Sequence, residues 1–170
     1  FYAKYVAGHY VEYDLADGTW SSSQTKYFKN EGDTVYVVNT EPKKDGYEFK
    51  GWKFSEDNST LTKGNFFTMP NHDVKLTAIW EPKAVEYTVN YYWNKTTQSV
   101  RDSKTVPGYK VDESVTESPV AVDGYTVVSS AAQNITLGAN AAQNVINFYY
   151  YKNVTLTANS NTVTYTGKEQ

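Results

Sequence analysis

Residues 44–52 read KDGYEFKGW, and the position of Trp52 in this stretch decides how the fold is interpreted. Alternate side chains of a β-strand point to opposite faces, so Trp52 would share a face with the charged residues Glu48 and Lys50. An exposed Trp52 would indicate a platform for a ligand. A Trp52 that is turned inward by a backbone irregularity would indicate an ordinary core residue.

The glycine before the tryptophan favours the second alternative. Glycine inside a strand often marks a bulge or a close backbone approach, and a bulge at Gly51 would turn Trp52 onto the apolar face that Tyr47 and Phe49 begin. Gly46 suits the turn that ends the preceding loop. We therefore predict that Trp52 belongs to the core.

The same turn recurs further along the chain. Asp-Gly-Tyr stands at residues 45–47 and again, 78 residues later, at 123–125. Each triplet follows a glycine, an extended segment and a proline, and each precedes a turn-rich stretch and a closing aromatic strand, VKLTAIW (74–80) or VINFYYYK (145–152). Internal self-similarity of this kind indicates tandem modules.

The repeat predicts a division of the chain into four segments. They are a closing strand of a preceding repeat or linker (1–8), a first module called unit one (9–82), a second module called unit two (83–152), and the start of a further β repeat or a C-terminal tail (153–170). The short connector EPKAVE (81–86) would restrict bending between the two units.

Composition predicts the fold class. Among 170 residues there are 19 Val, 20 Thr and 16 Tyr but only 5 Leu and 3 Ile, which suits pleated sheets better than helices. Short strand patterns follow one another between clusters of turn residues, and no stretch of 12 or more residues has the period of an amphipathic helix. We expect a mostly β protein, α+β at most, with a short helical turn per unit as the limit.

Charge and residue usage exclude several functions. The net charge is −3, with 16 basic and 19 acidic residues and no block of either sign, so a nucleic-acid surface is not expected. The absence of cysteine removes disulfides, thiol catalysis and thiolate metal sites. No apolar run reaches the roughly 20 residues of a membrane-spanning helix, so we expect no membrane insertion in this segment.

The sequence offers no catalytic constellation. His9 and His72 are the two histidines, and neither has the i, i+4 spacing of a helical zinc site. Nothing resembles a G-x-S-x-G nucleophile elbow. We predict a protein that is not an enzyme, with no catalytic residues, no cofactor and no metal. A Lys–Asn isopeptide cross-link beside a buried carboxylate stays open.

Family resemblance adds to this interpretation. Residues 10–82, with GDTV…DGYEFKGW…MPNHDVKLTAIW, resemble the Listeria–Bacteroides repeat, also called the internalin B-repeat. Residues 85–152, with YTVNYYW and INFYYYK, resemble the mucin-binding-protein (MucBP) repeat of Gram-positive surface proteins, and VTLTANSNTVTYTGKEQ (154–170) is similar to the start of an MBG repeat.

The resemblance implies small ubiquitin-like β-grasp modules in an elongated arrangement, within an extracellular, cell-wall-anchored protein of a Gram-positive bacterium. It implies monomeric beads in a longer chain, without catalytic residues. The hallmark residues transfer as core and turn positions: Gly46, Tyr47, Phe49, Gly51, Trp52 and Trp80, with Gly124 and Tyr125 at the second turn.

Two strands of unit two carry candidate ligand-binding residues. Alternation places Asn90 beside Tyr92 on one strand and Asn147 beside Tyr149 on another. Flat rings next to amide groups are typical of glycan or protein recognition, whereas cross-strand aromatic pairs also serve simply to stiffen a sheet.

Two functions remain as hypotheses. The first is a non-catalytic stalk and adhesion segment that contacts host glycans, mucin or extracellular matrix protein. The alternative is an accessory carbohydrate-binding module of a secreted glycan-degrading enzyme. Binding to isolated glycans would distinguish a binding module from a spacer.

Overall fold

The computed structural model describes residues 7–21 and 24–158. The predicted closing strand of a preceding repeat and the predicted start of a further repeat lie largely outside these residues. Residues 153–158 are described and form no strand, and Val154 and Leu156 are 77% and 90% exposed. The pattern VTLTANSNTVTYT (154–166) predicts a strand, and this prediction is wrong over its described residues 154–158.

Unit one is built around a parallel pair of strands. Its described strands are β1 (Gly8–Asp14), β2 (Lys26–Asn30), β3 (Thr34–Tyr36), β4 (Tyr47–Phe54), β5 (Thr60–Leu61), β6 (Phe66–Thr68) and β7 (Val74–Pro82). Five of them form one sheet in the order β2-β1-β7-β4-β5, and β3 pairs with β6 in a small second sheet. The first and last strands, β1 and β7, are parallel neighbours, whereas the hairpin partner β2 is antiparallel to β1.

The bulge that the sequence predicts lies next to Trp52. The pairing of β4 with β7 shifts register between Phe49 and Gly51, and Gly51 has φ +127°. Trp52 is 1% exposed. Its ring lies edge to face against Phe49 at a centroid distance of 5.1 Å and against Tyr13 at 4.7 Å. The extra residue therefore directs the largest side chain of the strand into the core.

Unit two repeats this arrangement with different lengths. Its described strands are β8 (Ala84–Trp93), β9 (Ser99–Lys110), β10 (Ser114–Glu117), β11 (Tyr125–Val127), β12 (Gln133–Thr136) and β13 (Val145–Lys152). The main sheet has the order β11-β13-β8-β9, with β8 and β13 parallel, and β10 pairs with β12 in a small second sheet. In both units the last strand lies beside the first, and the strand after Asp-Gly-Tyr flanks the last.

The prediction of a mostly β fold is confirmed. Within the described part of the chain the helical content is one 3-10 turn, Ala141–Gln143. The small sheets place side chains in the cores: Val35 and Phe67 pack with Trp52 in unit one, and Val115 belongs to the core of unit two. A layer of short strands thus covers the inner face of each main sheet.

The core of unit two depends on tyrosines instead of tryptophan. Most of its buried side chains come from the parallel pair: Tyr87, Val89 and Tyr91 from β8, with Ile146, Phe148 and Tyr150 from β13. The Tyr150 hydroxyl donates to the carbonyl of Val120 at 2.8 Å, and burial raises the pKa of this phenol. Trp93 shares the inner face but is half exposed, because it stands at the end of the strand.

The two Asp-Gly-Tyr turns have the same backbone but different surroundings. Gly46 and Gly124 have φ +77° and +76°, in the left-handed region that glycine tolerates best. Tyr125 packs against the core of unit two. Tyr47 instead donates a hydrogen bond from its hydroxyl to Asp112 of unit two.

The connector predicted at residues 81–86 is almost wholly strand. β7 ends at Pro82 and β8 begins at Ala84, so Lys83 alone separates them. The Lys83 N–H donates to the carbonyl of Gly46 at 2.9 Å, and the Lys83 carbonyl accepts from the Val111 N–H at 3.1 Å. The backbone of this residue, which we call the joint, is therefore bonded to both units.

Four short strands were not predicted from the sequence: β5, β6, β10 and β12. They have two to four residues, which is too short for a period-2 pattern to stand out. The pattern GYTVVSS (124–130) predicts a longer strand than the observed β11, which ends at Val127.

Candidate functional site

The four candidate residues of unit two come together on the outer face of its main sheet. The parallel register places Asn147 opposite Asn90 and Tyr149 opposite Tyr92. All four side chains are half buried, since they alternate with fully buried neighbours on the same strands. We call these four residues the Asn–Tyr strip.

The strip is ordered by contacts between its own members and by one hydrogen bond from Ser103. The Asn90 amide nitrogen donates to Asn147 Oδ1 at 3.0 Å, and the Ser103 hydroxyl donates to Asn90 Oδ1 at 2.8 Å. The rings of Tyr92 and Tyr149 lie 6.3 Å apart at an angle of 37°. An amide pair thus stands next to an aromatic pair on one face of the sheet.

This arrangement suits a ligand that has both an apolar face and hydroxyl groups. Tyrosine offers a rigid ring at low conformational cost, and asparagine offers both a donor and an acceptor. The strip lies on the outer face of a sheet, and a sheet face is an open surface and not the concave pocket that usually encloses a small-molecule ligand. Such a surface fits an extended partner better than a small ligand that binds inside a pocket.

A charged network lies on the inner side of the same unit. Tyr87 OH and Lys104 Nζ each donate to Glu117 Oε1 at 2.6 Å. Burial disfavours ionisation of Glu117, but the hydrogen bonds from Lys104 and Tyr87 outweigh it and lower the pKa of this carboxyl. Burial, with help from the neighbouring carboxylate, raises the pKa of Tyr87. Because Tyr87 is buried, we read this network as a structural link between β8, β9 and β10.

Sequence reasoning missed two exposed aromatic pairs in unit one. Tyr36 and Phe66 face each other across the small sheet, with ring centroids 5.8 Å apart and exposures of 67% and 63%. Tyr10 and Phe28 form an edge-to-face pair at 5.7 Å. Alternation with the buried Val35 was a signal for Tyr36, but Phe66 lies on one of the short strands that no pattern indicated.

A groove of about 550 Å³ opens in unit one beside the joint. Phe49 and Trp80 contribute its apolar wall. The charged residues around it are of both signs: Glu41, Asp45 and Glu48, with Lys43, Lys44 and Lys83. Since these charges balance, the groove does not select a ligand of one charge.

The histidines and the buried asparagine have local partners. His72 Nε2 lies 2.8 Å from Glu56 Oε2, and His9 Nδ1 lies 3.7 Å from Asp73 Oδ1.

The buried Asn144 donates its amide to the carbonyls of Gly138 and Glu86. An isopeptide cross-link would need a lysine beside the asparagine, whereas the side chain of Asn144 binds backbone carbonyls.

Over residues 7–21 and 24–158, no three His, Cys, Asp or Glu residues are grouped as a metal site would require. In the same part of the chain, no helix has the length and apolar character needed to cross a membrane.

Comparison with known sequences identifies the first repeat. Residues 13–84 match the divergent InlB B-repeat domain. The match confirms the resemblance that the Gly-Tyr-x-Phe-x-Gly-Trp motif indicated, since it covers nearly all of unit one. No curated protein matches the sequence.

Two solved structures are similar to this chain at low sequence identity. One is titled as the crystal structure of Mub-RV, with 15% identity, 87% of this chain and 100% of that chain covered, and a TM-score of 0.29. The other is the type 2 repeat of the mucus binding protein MUB from Lactobacillus reuteri, with 13% identity, 86% and 99% coverage, and a TM-score of 0.30. At these TM-scores the likeness carries no argument about this chain.

Proposed function

We propose that this chain is a non-catalytic repeat segment of a cell-wall-anchored bacterial surface protein, which serves as a stalk and as an adhesion module. The InlB B-repeat match of residues 13–84 supports a surface adhesion repeat. The joint at Lys83, bonded to both units, supports a stalk, since such a connection limits bending between modules.

The observation that carries the adhesive role is the Asn–Tyr strip. Two amides and two phenol rings stand side by side on one outer sheet face, held by the Asn90–Asn147 hydrogen bond. The ligand that fits it is an extended glycan, of the kind carried by host mucins or matrix proteins, because sugar rings offer an apolar face edged by hydroxyls. Stacking on Tyr92 and Tyr149 would supply affinity and the amides would supply orientation.

The test is glycan-array and mucin binding by the whole 170-residue chain. We expect binding that the double substitution Tyr92→Ala with Tyr149→Ala removes while the circular dichroism spectrum of the β fold is kept. The matched control is Tyr36→Ala with Phe66→Ala, which removes a more exposed aromatic pair from unit one and should leave binding intact.

Two outcomes would contradict the adhesive role of the strip. One is an array without any bound glycan or mucin. The other is a loss of binding in the unit one control and not in the strip variant. In the alternative function, an accessory carbohydrate-binding module of a secreted enzyme, the strip would instead bind polysaccharides that the enzyme degrades, and plant and microbial glycans on the same array distinguish the two.

A further inference from the structure

In each unit the strand through which the chain enters lies beside the strand through which it leaves, and this decides how a pull on the chain loads the fold. The chain enters unit one through β1 and leaves through β7, and it enters unit two through β8 and leaves through β13. In both units these two strands are parallel neighbours. The entry point of one strand and the exit point of the other are therefore at opposite ends of the same pair.

Tension along the chain acts on such a pair as shear. The first strand is pulled one way along its axis and the last strand the other way, so the hydrogen bonds between them carry the load together. An antiparallel hairpin pulled at its open end behaves differently, because its bonds are loaded one after another. Each bond by itself contributes little to stability, so the direction of loading decides how much force the pair bears.

We propose that the parallel strand pair in each unit is a shear clamp, which lets the chain bear tension between its ends without unfolding. The source of tension rests on the proposed stalk function, since a surface protein bound to a host is pulled by flow. The clamp itself is a property of the fold and is measured without any ligand.

The joint passes force directly from one clamp to the next. Lys83 alone lies between β7 and β8, and its N–H and carbonyl are bonded to Gly46 and Val111. No slack segment separates the units that could extend before the clamps are loaded.

The two clamps differ in length and in side-chain links. The pair β8–β13 is in register over six residue pairs, and β1–β7 over four. The Asn90–Asn147 hydrogen bond crosses the clamp of unit two, as does the contact between Tyr92 and Tyr149. The clamp of unit one is crossed by the exposed ion pair of Asp14 with Lys75, at 2.7 Å. Exposed ion pairs contribute little, so we expect unit two to unfold at the higher force.

The experiment is single-molecule force spectroscopy on the whole chain with handles on introduced cysteines. The sequence contains no cysteine, so each pair of handles is unique. Ala7→Cys with Lys83→Cys loads unit one in shear, and Lys83→Cys with Lys152→Cys loads unit two in shear. Lys83→Cys with Lys110→Cys pulls β8 and β9 apart from the end where Ala84 pairs with Lys110.

We expect the unfolding force to be highest for shear of unit two, lower for shear of unit one and lowest for the 83/110 geometry. The released length identifies the unit, at about 3.3–3.6 Å per residue. Equal forces for unit two in the 83/152 and 83/110 geometries would overturn the clamp, since the direction of loading would then not matter.

A second pair of variants tests the side-chain link. Asn90→Ala with Asn147→Ala should lower the 83/152 unfolding force. Asn134→Ala is the matched control, because it removes an amide hydrogen bond of 2.8 Å to Thr116 in the small sheet of the same unit and should leave that force unchanged. A control that lowers the force as much as the strip variant would contradict the assignment.

A blank glycan array with intact clamp behaviour would overturn only the adhesive role. Bound glycans without a dependence of the unfolding force on the direction of loading would overturn only the clamp.

Discussion

The two units solve the same packing problem with different side chains. In unit one, a bulge turns Trp52 into the core, where it meets Tyr13, Phe49 and a neighbouring tryptophan, Trp20. In unit two, the core is built from tyrosines whose hydroxyls find partners at its edge, as Tyr150 does at Val120. The shared strand order therefore does not depend on one core residue. It depends on a parallel central pair and on an apolar inner face of sufficient volume.

The largest expected effect breaks one unit and spares the other. Trp52→Ala removes a fully buried indole and should cost about 3–5 kcal/mol, enough to unfold unit one. Two-dimensional NMR should then show loss of the resonances of unit one while those of unit two persist. Phe148→Ala in the core of unit two is the matched substitution and should give the converse result. Loss of the resonances of both units in either variant would contradict this expectation. It would show that the two units unfold as one cooperative body.

An intermediate effect tests the bulge itself. A Cβ at position 51 would lie 2.9 Å from the Leu61 carbonyl oxygen and 2.8 Å from Thr60 Cγ2, at φ +127°. We expect Gly51→Ala to lower the free energy of unfolding by about 2–4 kcal/mol, measured by urea denaturation. Gly64→Ala is the control, since Gly64 also has positive φ (+88°) but open space around its Cα. It should cost only about 1–2 kcal/mol from backbone strain, and equal losses would contradict a close approach at Gly51.

The smallest effect concerns the side-chain link across each clamp, which is an ion pair in unit one and a hydrogen bond between amides in unit two. The hydrogen bond from Lys75, with the N–H of Ala16, lowers the pKa of Asp14 below its usual 3.8. Ionised Asp14 therefore stabilises the folded chain at pH values above 3.8, and this contribution is lost as the pH falls through the lowered pKa.

Asp14→Asn should remove this part of the acid dependence, by a few tenths of a kcal/mol for an exposed pair. Urea denaturation of wild type and variant at pH 7 and pH 3 measures it. The other carboxylates are common to both proteins and cancel in the difference. An unchanged or larger acid loss in the variant would show that the Asp14–Lys75 pair does not stabilise unit one.

The longer strands of the main sheets were largely predictable, because they have enough residues to show alternation. The strand pattern YEFKGWKF (47–54) coincides with the observed β4, and the closing strands β7 and β13 begin where VKLTAIW and VINFYYYK begin. Alternation also placed Asn90 with Tyr92 and Asn147 with Tyr149. It could not show that the two pairs are neighbours, since their strands are more than 50 residues apart and local patterns carry no register.

The sequence by itself determined the β class, the repeat, the turns at Gly46 and Gly124, and the inward position of Trp52. These features follow from local chemistry: side-chain period, glycine at positive φ, and apolar faces. The tertiary structure alone decided that the first and last strands of each unit run parallel, that the Asn–Tyr strip forms, and that Tyr47 bonds Asp112 across the joint. Those contacts join residues that are distant in the chain, and they exist only because burying both apolar faces brings the strands together.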